Sequence, residues 1–202
     1  MLSLRLRPAV GRVVEPLADR LLAAGVSPDA VTVAGTTGAV VGALALLGTG
    51  HYLAGTLVVT ACVLTDLLDG AMARRRGTSS RFGAWLDSTC DRAADSAIFG
   101  ALAVWLSGGG HDRLLAGVAL FCLVAGGVVS YAKARAEGLG MTCDVGIAER
   151  AERLILVLAG TGLVGVGAPV VVLAVALWLL AAASAVTVVQ RTREVRRQAG
   201  RP

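Results

Sequence analysis

From Ala30 to Thr65 the chain carries no formal charge, and the same is true from Leu154 to Gln190, runs of 36 and 37 residues. A short helical span needs roughly 17–20 apolar residues, so each run is long enough for two spans and a turn. Charged residues make up 16% of the 202, where a soluble domain carries about a quarter. Apolar segments recur along the whole length, which argues against a secretory signal. The expected fold class is an all-α membrane protein.

Residues 25–202 read as one domain of six transmembrane helices. The spans are expected near Ala30–Leu47, Tyr52–Arg74, Phe82–Leu106, Leu114–Ala136, Arg150–Val166 and Pro169–Arg191. Pro28 is placed to open the first. Residues 1–24 alternate apolar side chains with Arg5, Arg7, Arg12, Glu15, Asp19 and Arg20, the pattern of an amphipathic helix lying on a membrane surface.

Basic residues set the orientation. They collect in the N-terminal segment, in the Arg74–Arg81 loop, around Lys133, Arg135, Arg150 and Arg153, and in the tail from Arg191. The other side holds only Arg113. Cytoplasmic loops gather Arg and Lys, so six spans put both termini in the cytoplasm. This placement also accounts for a pI near 9.6 without nucleic-acid binding. The four cysteines are not at metal-ligand spacing and read as small apolar residues.

Four carboxylates do not belong in such a chain. Asp66 and Asp69 fall toward the cytoplasmic end of the second span, Asp87 and Asp91 near the start of the third. Acids in a membrane segment are costly and need compensation. Spacings of three and four put each pair on one helix face. Carboxylate oxygens from two helices suit hard divalent cations, and four can hold two ions. Gly70 and Gly83 allow close backbone approach there, and Arg74 is placed for a phosphate. The bland alternative is ion pairing with Arg74, Arg75, Arg76, Arg81 and Arg92, but arginines at a span end can snorkel to water. Asp95, one turn beyond Asp91, reads as a supporting group rather than a ligand, and His51 and His111 fall on the far side.

The segment Asp66-x-x-Asp69-Gly70-x-x-Ala73-Arg74, eight residues, Gly83-x-x-x-Asp87-x-x-x-Asp91 resembles the signature of the CDP-alcohol phosphotransferase family at every fixed position. The resemblance implies a membrane enzyme that displaces CMP from a CDP-linked lipid with an alcohol. It implies two Mg²⁺ ions, with Mn²⁺ as substitute: Asp66, Asp69 and Asp87 on one, Asp66, Asp87 and Asp91 on the other. Asp91 would also be the general base.

Three further stretches, Ser27–Thr32, Ser130–Glu137 and Glu149–Leu154, resemble an actinobacterial branch of that family. That branch joins CDP-diacylglycerol to inositol 1-phosphate. The resemblance places CDP-diacylglycerol contacts at Asp29, Ala30, Val31, Thr32, Gly70, Arg74 and Ser80. It places the acceptor phosphate at Ser130, Lys133, Arg153 and Arg191. Many members carry Asn at the position of Asp29. The family also implies a homodimer in the cell membrane. Two alternatives remain at this stage: another acceptor such as glycerol 3-phosphate, and a divalent-cation transporter, since acids within spans also mark ion pathways.

Overall fold

The computed structural model describes residues 14–77 and 80–200. Among these residues the secondary structure is helical, with no strand. Residues 14–23 are helical (α1); the expected surface helix over 1–24 otherwise lies outside the described residues. There follow α2 (Pro28–Leu46), extended by a 3-10 turn over Leu47–Thr49, α3 (Tyr52–Val63), α4 (Asp66–Arg76), α5 (Arg81–Ser107), α6 (Arg113–Glu137), α7 (Arg150–Gly165) and α8 (Val171–Ala199).

Four helical stretches are long and apolar enough to cross a membrane: Pro28–Thr49, Tyr52–Arg76, Arg113–Glu137 and Val171–Ala199. Large apolar side chains cover the surface, among them Leu114, Val124 and Val171. A soluble protein rarely exposes contiguous apolar area on this scale, and the chain is a membrane protein. The remaining two expected spans are helices of a different character. Up to Asp95, α5 carries Arg81, Asp87, Asp91, Arg92 and Asp95, and α7 has 16 residues and opens on Arg150, Glu152 and Arg153.

The second expected span is not one regular helix. It breaks at Leu64–Thr65, between α3 and α4. Around the break the amides of Thr65, Leu67 and Leu68 bond three residues back rather than four. Such tightening inside a helix often marks a functional position. Here it falls immediately before Asp66.

The chain divides into two compact units. The first holds the described residues up to Gly42 together with Val58–Ala94. Its α2 lies close against the α3–α4 break. A Cβ on Gly35 would sit 1.9 Å from Thr65 Oγ1, and one on Gly38 2.7 Å from Cys62 Sγ. Small residues at helix contacts let backbones approach in this way. Along α1, Val14, Ala18, Leu21 and Leu22 form a stripe packed on Ala71 and Met72 of α4. Glu15 and Asp19 both bind Arg75 of α4.

The second unit holds Ala43–Leu57 and the chain from Asp95 onward. In it α6 and α7 both pack on α8. Glycines of α7 serve as close contacts: a Cβ on Gly160 would meet Ala176 at 3.2 Å, and one on Gly165 would meet the Leu53 backbone at 2.4 Å. Gly167, with φ 104°, is a turn residue instead.

Candidate active site

The first unit gathers three helix starts. Ser27 Oγ accepts from the Ala30 amide at 3.2 Å and caps α2 just ahead of Pro28. Ser80 Oγ accepts from the Gly83 amide at 2.8 Å and caps α5. Both are the serine caps that satisfy first-turn N–H groups. The α4 start brings Asp66 and Asp69 into its first turn, where the positive end of the peptide dipoles favours carboxylates.

Side chains tie these starts together. Thr32 of α2, buried, donates its hydroxyl to Asp69 Oδ2 of α4 at 2.5 Å. Asp29 of α2 lies by the start of α5, where a Cβ on Gly83 would stand 3.5 Å from Asp29 Oδ1 and 3.1 Å from Ser80 Oγ. Asp69 feels the like charges of Asp66, in its own turn, and of Asp87 on α5. Asp69 is buried, Asp66 and Asp91 are half-buried, and Asp87 is exposed.

The alternative reading pairs these acids with the loop arginines. Arg75 is committed to Glu15 and Asp19, while Arg92 approaches Asp91 at 3.8 Å. Among the described residues no three acidic, histidine or cysteine side chains are arranged about one point as metal ligands. Asp69 has one oxygen turned to Thr32. The donor set still fits a hard cation: carboxylate oxygens only, from two helices, with Asp66 and Asp87 both close enough to act on Asp69. Gly70 adds a feature that internal packing does not explain. Among the described residues, a Cβ there would meet only Arg74 Nη1, at 3.4 Å, so a methyl group would fill space beside a guanidinium.

The four basic or polar residues expected at the acceptor lie in the second unit, each with a structural partner. Ser130 Oγ donates to Gly126 O at 3.0 Å. Lys133 pairs with Asp144 and lies 3.9 Å from Glu137. Arg153, 1% exposed, donates to Asp95 Oδ2 at 2.7 Å, and its Nε lies where a Cβ on Gly126 would stand 3.2 Å away. Arg191, also buried, donates to Val145 O at 2.9 Å, to Val129 O at 2.5 Å and to Glu149 Oε1 at 3.4 Å. Arg191 thus ties α8 to the connection between α6 and α7.

Sequence reasoning missed several of these partners. Thr32 stood out only as a substrate contact, and nothing in the sequence joined it to Asp69. Gly35 and Gly38, three apart on the charge-free stretch of α2, were the available sign of close packing. The pairing of Asp95 with Arg153 joins residues 58 apart, beyond the reach of any local pattern.

A model of the CDP-alcohol phosphatidyltransferase family matches residues 25–190. The chain belongs to the CDP-alcohol phosphatidyltransferase family. It is a transferase of the kind its aspartate signature resembles. Among curated members, the chain is 48% identical over 204 residues to the phosphatidylinositol phosphate synthase of Streptomyces avermitilis, covering 98% of this chain and 84% of that protein. Two solved structures of the Mycobacterium tuberculosis phosphatidylinositol phosphate synthase superpose on it. The one with CDP-DAG bound gives a TM-score of 0.88 at 49% identity, covering 91% of this chain and 94% of that one. The one in complex with manganese and citrate gives 0.87 at 49% identity, covering 90% and 88%.

Proposed function

We propose that this family member is a phosphatidylinositol phosphate synthase, transferring the phosphatidyl group of CDP-diacylglycerol to inositol 1-phosphate and releasing CMP. The observation that carries the reading is the aspartate signature in a fold shared along nearly its whole length with a synthase of that name. Family membership favours group transfer over the cation-transport alternative.

Two divalent cations, Mg²⁺ or Mn²⁺, held by Asp66, Asp69 and Asp87 and by Asp66, Asp87 and Asp91, would polarise the diphosphate and stabilise departing CMP. The manganese complex of the M. tuberculosis enzyme supports a divalent cation as the group held. Thr32 fixes one oxygen of Asp69 and so orients its carboxylate. Asp91 takes the proton from the acceptor hydroxyl as its oxygen bonds to the phosphorus that carries the lipid, while the bond from that phosphorus to CMP breaks. Phosphoryl transfer depends on such positioning and charge neutralisation more than on covalent chemistry.

Asp29, Ala30, Val31 and Thr32 at the start of α2, Gly70 and Arg74 on α4 and Ser80 at the cap of α5 bind the CDP portion. Helix starts offer backbone N–H groups to a diphosphate, and the space beside Gly70 and Arg74 suits close approach. Ser130, Lys133, Arg153 and Arg191 receive the acceptor phosphate. Lys133 is the most accessible of the three cations, with 37% of its side chain exposed, and Arg153 and Arg191 act from buried positions.

The chain sits in the cell membrane as a homodimer, with lipid around it and its termini and active site cytoplasmic. The six-span reading extends to α5 and α7, and the exposure of Val104 at 67% and Ile155 at 69% supports lipid contact by both.

The test is radiolabelled inositol 1-phosphate with CDP-diacylglycerol and Mg²⁺, beside a parallel assay with glycerol 3-phosphate. A labelled lipid from the first acceptor, lost in Asp91→Asn, is the expected result. CMP release with glycerol 3-phosphate alone would overturn the acceptor, and full turnover by Asp91→Asn would remove it as the base.

A further inference from the structure

The connection between α6 and α7, residues 138–149, brings an anion of the protein's own onto Lys133. Asp144 forms an ion pair with the Lys133 ammonium. The hydrogen bond from Lys133, and then its charge, hold the Asp144 carboxyl below its ordinary value, so it stays ionised.

The backbone on either side of Asp144 is anchored. Thr142 exchanges two hydrogen bonds with the Gln198 side chain, at 3.0 and 2.7 Å. Beyond Asp144, Val145 O accepts from Arg191, and the amides of Ile147 and Ala148 donate to Thr187 Oγ1 at 3.1 and 3.0 Å. Gly146 fits between these anchors for two reasons. Its φ is 147°, and a Cβ would stand 2.5 Å from Thr187 Cγ2. The loop is therefore held in place while the Asp144 side chain remains 70% exposed. Leaving Lys133 takes a side-chain rotation and no rearrangement of the backbone.

We propose that Asp144 is a built-in competitor for the acceptor: it holds the Lys133 ammonium until a phosphate monoester displaces it. This rests on the reading that Lys133 binds the acceptor phosphate. The pair is exposed, and the loss of such a pair corresponds to at most about a fivefold shift in apparent affinity. A phosphate monoester, with a charge of about −1.5 to −2, outcompetes a single carboxylate, whereas weaker anions do so poorly. Asp144 is thus a specificity-determining residue that touches neither donor nor reacting atoms.

The experiment measures KM and kcat for inositol 1-phosphate in the full-length enzyme carrying Asp144→Asn, Asp144→Glu, Lys133→Gln, and the Asp144→Asn/Lys133→Gln pair. Asp144→Asn is expected to lower KM about three- to fivefold, with the change carried by KM rather than kcat. Asp144→Glu is expected to restore the wild-type KM, and the Asn effect is expected to vanish when Lys133 is also replaced. An unchanged KM in Lys133→Gln would overturn the reading of Lys133 itself. A raised KM there, with no effect of Asp144→Asn in the otherwise native chain, would overturn only the competitor. An Asp144→Asn effect that persists without Lys133 would also overturn it, since Asp144 would then act elsewhere.

Discussion

Thr32 and Asp69 are joined by a 2.5 Å hydrogen bond between the start of α2 and the first turn of α4. Both residues are buried, so the contact is shielded from water and holds the carboxylate in one orientation. Groups that hydrogen-bond a metal-ligating side chain tune the site nearly as strongly as the ligands themselves, and losing one typically costs ~10–100-fold in metal affinity or activity.

Thr32→Val keeps the shape of the side chain but removes its hydroxyl. If Asp69 is a ligand held by Thr32, the Mg²⁺ concentration for half-maximal CMP release should rise by roughly tenfold or more. Thr32→Ser should stay near wild type. Titrating Mg²⁺ at saturating CDP-diacylglycerol separates this from a loss of donor binding. A Thr32→Val enzyme with an unchanged Mg²⁺ requirement would detach Thr32 from the metal site.

The aspartate signature was legible because it is local: spacings of three and four on helices put Asp66 with Asp69 and Asp87 with Asp91 before any tertiary contact is known. Helix positions were legible for the same reason, since charge-free runs and the Pro28 start are read residue by residue. The α3–α4 break was not. Leu64 and Thr65 are ordinary residues for a helix interior, and it is the passage of α2, at Gly35, that lies against Thr65. The roles of the basic residues were also hidden. Arg153 and Arg191 look like span-end cations in the sequence, but they are buried and bound to Asp95 and to backbone carbonyls far along the chain.

Gly35 gives a packing prediction. A methyl group there would fall 1.9 Å from Thr65 Oγ1 and 3.1 Å from the Cys62 carbonyl oxygen. Gly35→Ala should therefore destabilise by about 1–3 kcal/mol, the usual cost of overpacking. Thermal unfolding in detergent measures this. Gly35→Ala/Thr65→Ala removes the closest clashing atom but leaves the carbonyl, so it should recover part of the loss. No destabilisation in the single variant would mean that α2 does not pass this close to the break.

Asp95 and Arg153 supply the last test. Arg153 is 1% exposed and its Nη2 lies 2.7 Å from Asp95 Oδ2, with Arg150 Nε 3.6 Å from the other carboxylate oxygen. A buried ion pair often adds little to stability as a whole, because desolvation offsets much of the attraction. Removing one partner is different, since it leaves a buried charge without its counter-ion and costs about 3–5 kcal/mol. Asp95→Asn should therefore lower the midpoint of thermal unfolding sharply. Asp95→Asn/Arg153→Met should be less destabilised than Asp95→Asn alone, because the stranded guanidinium is gone. The two variants also divide structure from function. If Arg153 binds the acceptor phosphate, the double variant should regain stability yet keep a raised KM for inositol 1-phosphate. If it regains both, Arg153 serves only to hold α7 to Asp95, and the acceptor phosphate must rest on other cations.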